Sequence, residues 1–209
     1  YAVAMGMAAA YKVGENTKIG LYTVIEVNVK IGKNCVVGNN VVIHSDTEIG
    51  DNVRIDDHTV IGKLPLRAKQ SKTTSEKKLS SAKIGDDCLI GTSAVIYAGA
   101  ILGKGVLIAD LATVRENVTI GDFTIVGRGV AVENLTRIGS YCKLETNSYI
   151  TAYSELGDYV FISPGVVTSN DNFVGRTKER VKFYKGVTVK RGGRIGANAT
   201  ILPGKVIAE

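Results

Sequence analysis

Asp110 and Glu116 stand six residues apart in ADLATVRENVTIG, residues 109–121. Either carboxylate can take a proton from an attacking amine, or orient and desolvate it. Asn134 and Asn170 recur in phase with Glu116, eighteen residues or multiples of eighteen further on. The chain has only two histidines, His44 and His58. A three-histidine zinc centre is therefore excluded, and no metal is expected. Three cysteines, Cys35, Cys88 and Cys142, offer neither metal spacing nor an even disulfide set. They read as buried small residues rather than nucleophiles. Their free state suits a reducing compartment, so a cytoplasmic protein is expected.

These residues share a phase because the whole chain has one. From Ile84 to Ile162 every sixth residue is aliphatic. The same beat runs from Val13 to Ile61 and returns from Val189 to Ile207. Four places after the aliphatics, from Thr17 to Thr59 and from Cys88 to Val160, stands a small or β-branched residue, and all three cysteines fall in that column. Period six fits neither an α-helix nor simple strand alternation. It fits a strand of about four residues and a turn of two, often glycine-bearing. The small residue and the aliphatic two later then point to the same side. Three such units make a triangular coil of 18 residues, and stacked coils bury the aliphatics in a continuous ladder. The expected fold is all-β, a parallel β-helix of about nine coils. Residues 1–10 read as a tag or frayed terminus, and 11–209 as one domain.

The beat fails twice, over 63–82 and 171–186, in polar and basic stretches. Inserts between repeats commonly form loops on one face, often the binding face. Assigning each hexad to one of three walls sends both loops out from one corner. The corner column between them reads Lys63, Ala98, Glu116, Asn134, Ala152, Asn170. A polar site on that edge is one reading. Ordinary turn chemistry, which favours Asn, Asp and Glu, is the other. Asp110 and Glu116 are expected on adjacent corners of one coil.

Hydrophobic residues make up 44 % of the chain, as in a globular protein. No apolar run reaches membrane-spanning length. The net charge of +6 is compatible with phosphate-bearing small ligands or with a solvated surface. No dense basic stripe with interleaved aromatics points to nucleic acid.

The hexad pattern resembles the hexapeptide-repeat, left-handed β-helix acyltransferases, over nearly the whole chain. Residues 161–204, with TSNDN at 168–172 and GVTV…IGANATILPG after the basic loop, look like the nucleotide-sugar N-acyltransferases. Within these, the stretch is similar to enzymes acylating a dTDP-linked aminodideoxy sugar, such as that of the anthrose pathway. The resemblance implies a homotrimer, a nucleotide-sugar substrate linked to dTDP or UDP, and an acyl-CoA co-substrate. It places Asn170 and Asp171 near the sugar or the thioester. Asp110, Glu116 and Asn170 are the catalytic candidates. Arg67, Asn134, Asp171, Asn172 and Arg176 are candidates for the substrate, with Lys63, Lys69, Lys72 and Lys178 as further cations for its diphosphate. Gly186, Lys190, Arg191, Arg194, Ala199 and Lys205 are candidates for coenzyme A. Many relatives place a histidine at the catalytic edge; His44 and His58 instead precede the first loop, where a structural role is expected. Rate would then come from aligning amine and thioester, with a backbone N–H on the oxyanion. The alternatives are a hexapeptide-repeat acyltransferase with a non-sugar acceptor, or a non-enzymatic β-helix. The resemblance also leads one to expect further repeats beyond Glu209.

Overall fold

A computed structural model describes residues 11–69, 71 and 78–209. Its strands are mostly two residues long, shorter than the four expected, and they stack into three parallel walls of ten, nine and nine strands. Each strand pairs with the third one after it, as in Lys12↔Lys30 and Val13↔Ile31. The chain is a left-handed parallel β-helix of nine coils and the start of a tenth.

Each turn places its second residue in the left-handed region, for example Asn34 at φ 56°, Asn52 at 58° and Asn147 at 58°. One αL residue turns the backbone sharply enough to start the next wall, and Asn, Asp and Gly adopt it at least cost. Tyr141 and Tyr159 adopt it too. Their rings stack at 5.1 Å, with Phe123 below at 5.3 Å from Tyr141, and Arg191 closes the tower 4.6 Å above Tyr159.

The core is the ladder of in-facing aliphatics. Ile43, Ile61, Ile96, Ile108, Leu144, Ile150 and Ile162 are fully buried. Each is held by about 1.5–3 kcal/mol of apolar transfer. The small column fills the corners. Its Thr and Cys side chains do one job: Thr59 Oγ1 donates to the Gly91 carbonyl at 2.8 Å, and Cys88 Sγ to that of Gly103 at 3.1 Å. Burial pushes the Cys88 thiol up to about 11 and raises that of Cys142, so both remain thiols at neutral pH.

Both breaks leave from the end of third-wall strands, Val60–Lys63 and Val167–Thr168. The shared corner is therefore as the register requires. The 18-residue spacing becomes 35 across the first break and 33 across the second. The exits lie five coils apart, roughly 24 Å at one strand spacing per coil. The second loop carries a short 3₁₀ turn, Glu179–Phe183.

Candidate functional site

The edge between the third and first walls gathers most of the unusual side chains. Its first outward position, one residue past each in-facing residue, reads Glu26, His44, Gly62, Tyr97, Arg115, Glu133, Thr151, Ser169. The turn position beside it carries Glu116 and Asn134, both 3 % exposed. Arg115 lies between two carboxylates. Its Nε and Nη2 donate to the two oxygens of Glu116 at 2.8 and 3.1 Å, and its Nη1 to Glu133 Oε2 at 3.4 Å. Its guanidinium also stacks 4.9 Å from the Tyr97 ring centroid, on which Lys63 Nζ lies at 5.6 Å. The bidentate fork fixes Glu116 as an acceptor pair. Burial raises the Glu133 pKa; Arg115 opposes the rise and Glu116 adds to it. Burial, with Glu133 nearby, also raises the Tyr149 phenol. With the Lys63 ammonium over Tyr97 the group carries two cations and two carboxylates, and its carboxylate oxygens are acceptors that an ammonium group can use.

Asp110 stands elsewhere. It lies on the corner between the second and third walls, a wall's width from Glu116, which is the adjacent-corner placement expected. Its Oδ1 accepts the Thr92 amide at 2.8 Å. Asp51, Asp57, Asp86, Asp122 and Asp158 accept amides one coil below in the same way. The fold thus accounts for Asp110 as one of a series of turn acceptors. Asp171 organises the second loop. It accepts the Phe173 and Gly175 amides at 2.9 and 3.0 Å and pairs with Arg180 at 2.6 Å. Asn170 shares the corner with Glu116 but lies three coils away, roughly 14 Å. Asn172 and Arg176 are exposed on the same loop. Arg67 lines a cavity under the first loop; Lys72 lies outside the described residues.

The coenzyme A candidates do not gather into one patch. Lys190 and Arg191 lie on the corner after the first wall, Arg194 points out from the second wall, and Lys205 follows the third. Ala199 packs against the core. Gly186 is buried, and a Cβ there would meet Ser154 N at 2.4 Å, so close packing explains the glycine.

Sequence reasoning followed only the turn column and missed Arg115, Glu133 and the Glu26–His44 pair. The signal was available: all of these are outward residues next to an in-facing aliphatic on the wall that sends out both loops.

A family model described as bacterial transferase hexapeptide (six repeats) matches residues 11–45, 28–63 and 81–115. Over those residues the chain matches the hexapeptide repeat. It is similar in structure to the UDP-N-acetylglucosamine acyltransferase of Francisella novicida, at 22 % identity and TM-score 0.77, covering 96 % of this chain and 67 % of that one. The Arabidopsis UDP-N-acetylglucosamine acyltransferase matches at 15 % identity and TM-score 0.64, covering 93 % and 68 %. That of Bacteroides fragilis matches at 24 % identity and TM-score 0.52, covering 92 % and 67 %. The chain thus spans about two thirds of the length of these proteins, and the likeness is one of fold. No curated protein matches the chain by sequence. Among the described residues no helix is long and apolar enough to cross a membrane.

Proposed function

We propose that the protein is a nucleotide-sugar acyltransferase that moves an acetyl or short acyl group from coenzyme A to the amine of an amino-deoxy sugar. The observation that carries this reading is the Arg115–Glu116–Glu133 set on the edge bounded by two basic loops. The Glu116 and Glu133 carboxylates receive the sugar ammonium as hydrogen-bond acceptors. Glu133, made more basic by burial, takes its proton, and Glu116, held by Arg115, accepts a remaining N–H and aims the nitrogen. The neutral amine attacks the thioester carbonyl, the C–N bond forms, and the C–S bond breaks as the thiolate leaves and takes up the second proton that the nitrogen loses. No covalent enzyme intermediate is needed. Alignment supplies much of the rate.

Arg176 on the second loop supplies positive charge for the sugar-linked diphosphate, with Asn134, Asn170 and Asn172 along the edge. Asn170 lies too far from Glu116 to serve the same atom within one chain. In a homotrimer a neighbouring subunit closes the open side of the edge, and its dispersed coenzyme A candidates are offered to it. This reading calls for a cytoplasmic protein, where nucleotide sugars and acyl-CoA are both available. Similarity in fold to acyltransferases of UDP-N-acetylglucosamine supports the substrate class.

The test is thiol release from acetyl-CoA with dTDP-3-amino and dTDP-4-amino sugars as acceptors. Glu116→Gln should lower kcat/KM by about a hundredfold or more, on the order expected for a positioned acid–base group. Full rates in both Glu116→Gln and Glu133→Gln would remove the site.

A further inference from the structure

Residues 64, 65, 67 and 78–81 of the first loop roof a cavity of about 570 Å³ that runs from the first coil to the fourth; within it His44 lies three coils from Glu116 and Ala98 one. On its floor His44 and Glu26, stacked one coil apart, form a built pair. His44 Nδ1 lies 3.0 Å from Glu26 Oε1, and Glu26 Oε2 accepts the Ser45 amide at 2.9 Å and the Ser45 hydroxyl at 2.8 Å. Burial alone would raise the Glu26 carboxyl, but the Ser45 bonds and His44 outweigh it and hold it below its usual range. A carboxylate on Nδ1 holds a proton there, so Nε2 is the ring atom left to meet a ligand, as acceptor in the neutral ring and donor in the charged one. Among the described residues nothing bonds that Nε2.

The next coil leaves the imidazole open. At the matching position stands Gly62, at φ +83°, where a Cβ would come within 2.6 Å of Thr47 Oγ1 and 3.1 Å of His44 Cβ. A side chain there would crowd His44; its absence lets the chain turn away into the loop and leaves the cavity above the ring. Leu64, Pro65 and Leu79 give the roof an apolar surface, and Arg67 and Lys78 give it positive charge.

We propose that this cavity is a second ligand site, on the same edge as Glu116 but centred on His44 three coils away, for a small polyol bearing one anionic group. A hydroxyl, which can donate or accept, pairs with His44 Nε2, the carbon skeleton lies on the apolar roof, and a phosphate or carboxylate faces Arg67 and Lys78. Glu26 acts through His44 as a positioning residue that fixes the ring's tautomer.

The test follows the His44 imidazole C–H resonances of the full chain by NMR during titration with four probes. Glucose 1-phosphate and gluconate carry both features, sorbitol lacks the anion, and inorganic phosphate lacks the polyol. The expected result is saturable shifts with one or both of the first two, and at least tenfold weaker binding of sorbitol and phosphate. Which of the two binds distinguishes phosphate from carboxylate. His44→Gln and Glu26→Gln should each weaken binding at least tenfold, read by calorimetry, with the circular dichroism of the coils unchanged. Glu116→Gln should leave it intact. No saturable binding of any probe, or binding indifferent to His44→Gln, overturns the proposal. Loss of binding in Glu116→Gln overturns the separateness of the site, whereas a dead acyl-transfer assay with intact cavity binding sinks only the acyltransferase reading.

Discussion

Two carboxylates six residues apart in sequence have come to different duties. Glu116 is sunk in the edge and gripped by Arg115, while Asp110 holds a backbone amide of the coil below. Asp110→Asn keeps an acceptor oxygen in place and should leave thermal stability and acyl transfer near wild type. Asp110→Ala should cost about 1 kcal/mol, the usual worth of such a bond, visible in chemical denaturation. Glu133 makes a pH prediction. Its pKa is raised, so its carboxylate is lost as pH falls through a value above the ordinary glutamate range. The acid limb of kcat/KM should sit correspondingly high and disappear in Glu133→Gln. Ser148 is the buried side chain whose hydroxyl lacks a partner among the described residues. An unpaired buried hydroxyl costs roughly 1–3 kcal/mol, so Ser148→Ala should raise the melting temperature.

The coils and loops respond to other forces. Ile96 is wholly buried in the third wall, and Ile96→Ala should cost about 2–5 kcal/mol, because rungs above and below fix the cavity it leaves. The second loop depends on Asp171. Burial alone would raise its carboxyl, but Arg180 and two amides outweigh burial and hold it below the ordinary range. Its ties are therefore complete at pH above the ordinary aspartate range and are lost only as pH falls through the depressed value. Limited proteolysis within 171–186 should accelerate at acid pH, and at neutral pH in Asp171→Ala. Protection of the loop in that variant would show that something else holds it.

Three walls of stacked strands give the protein a prism whose side chains are sorted by position: in-facing ladder, corner filler, turn acceptor, outward residue. One corner alone sends out long loops. A trimer completed at that edge predicts a sedimentation mass of three times the 22.2 kDa chain, and a monomer at assay concentration would contradict it. Much of this was legible in the linear order of residues. A six-residue period cannot bury its aliphatics except by coiling, so the walls, the ladder, the cysteines' inert places and the common corner of 63–82 and 171–186 follow from spacing. Spacing also put Asp110 and Glu116 on adjacent corners. It did not say that Arg115 turns back onto Glu116, that Glu133 rises to meet it, or that Glu26 and His44 pair beneath the first loop. Those depend on rotamers and on contacts between coils eighteen residues apart. The roof over His44 comes from an insert with no period at all. Periodicity fixes where a backbone goes because burial repeats with it; which polar groups then touch is decided only when neighbouring coils and a loop close on the same space.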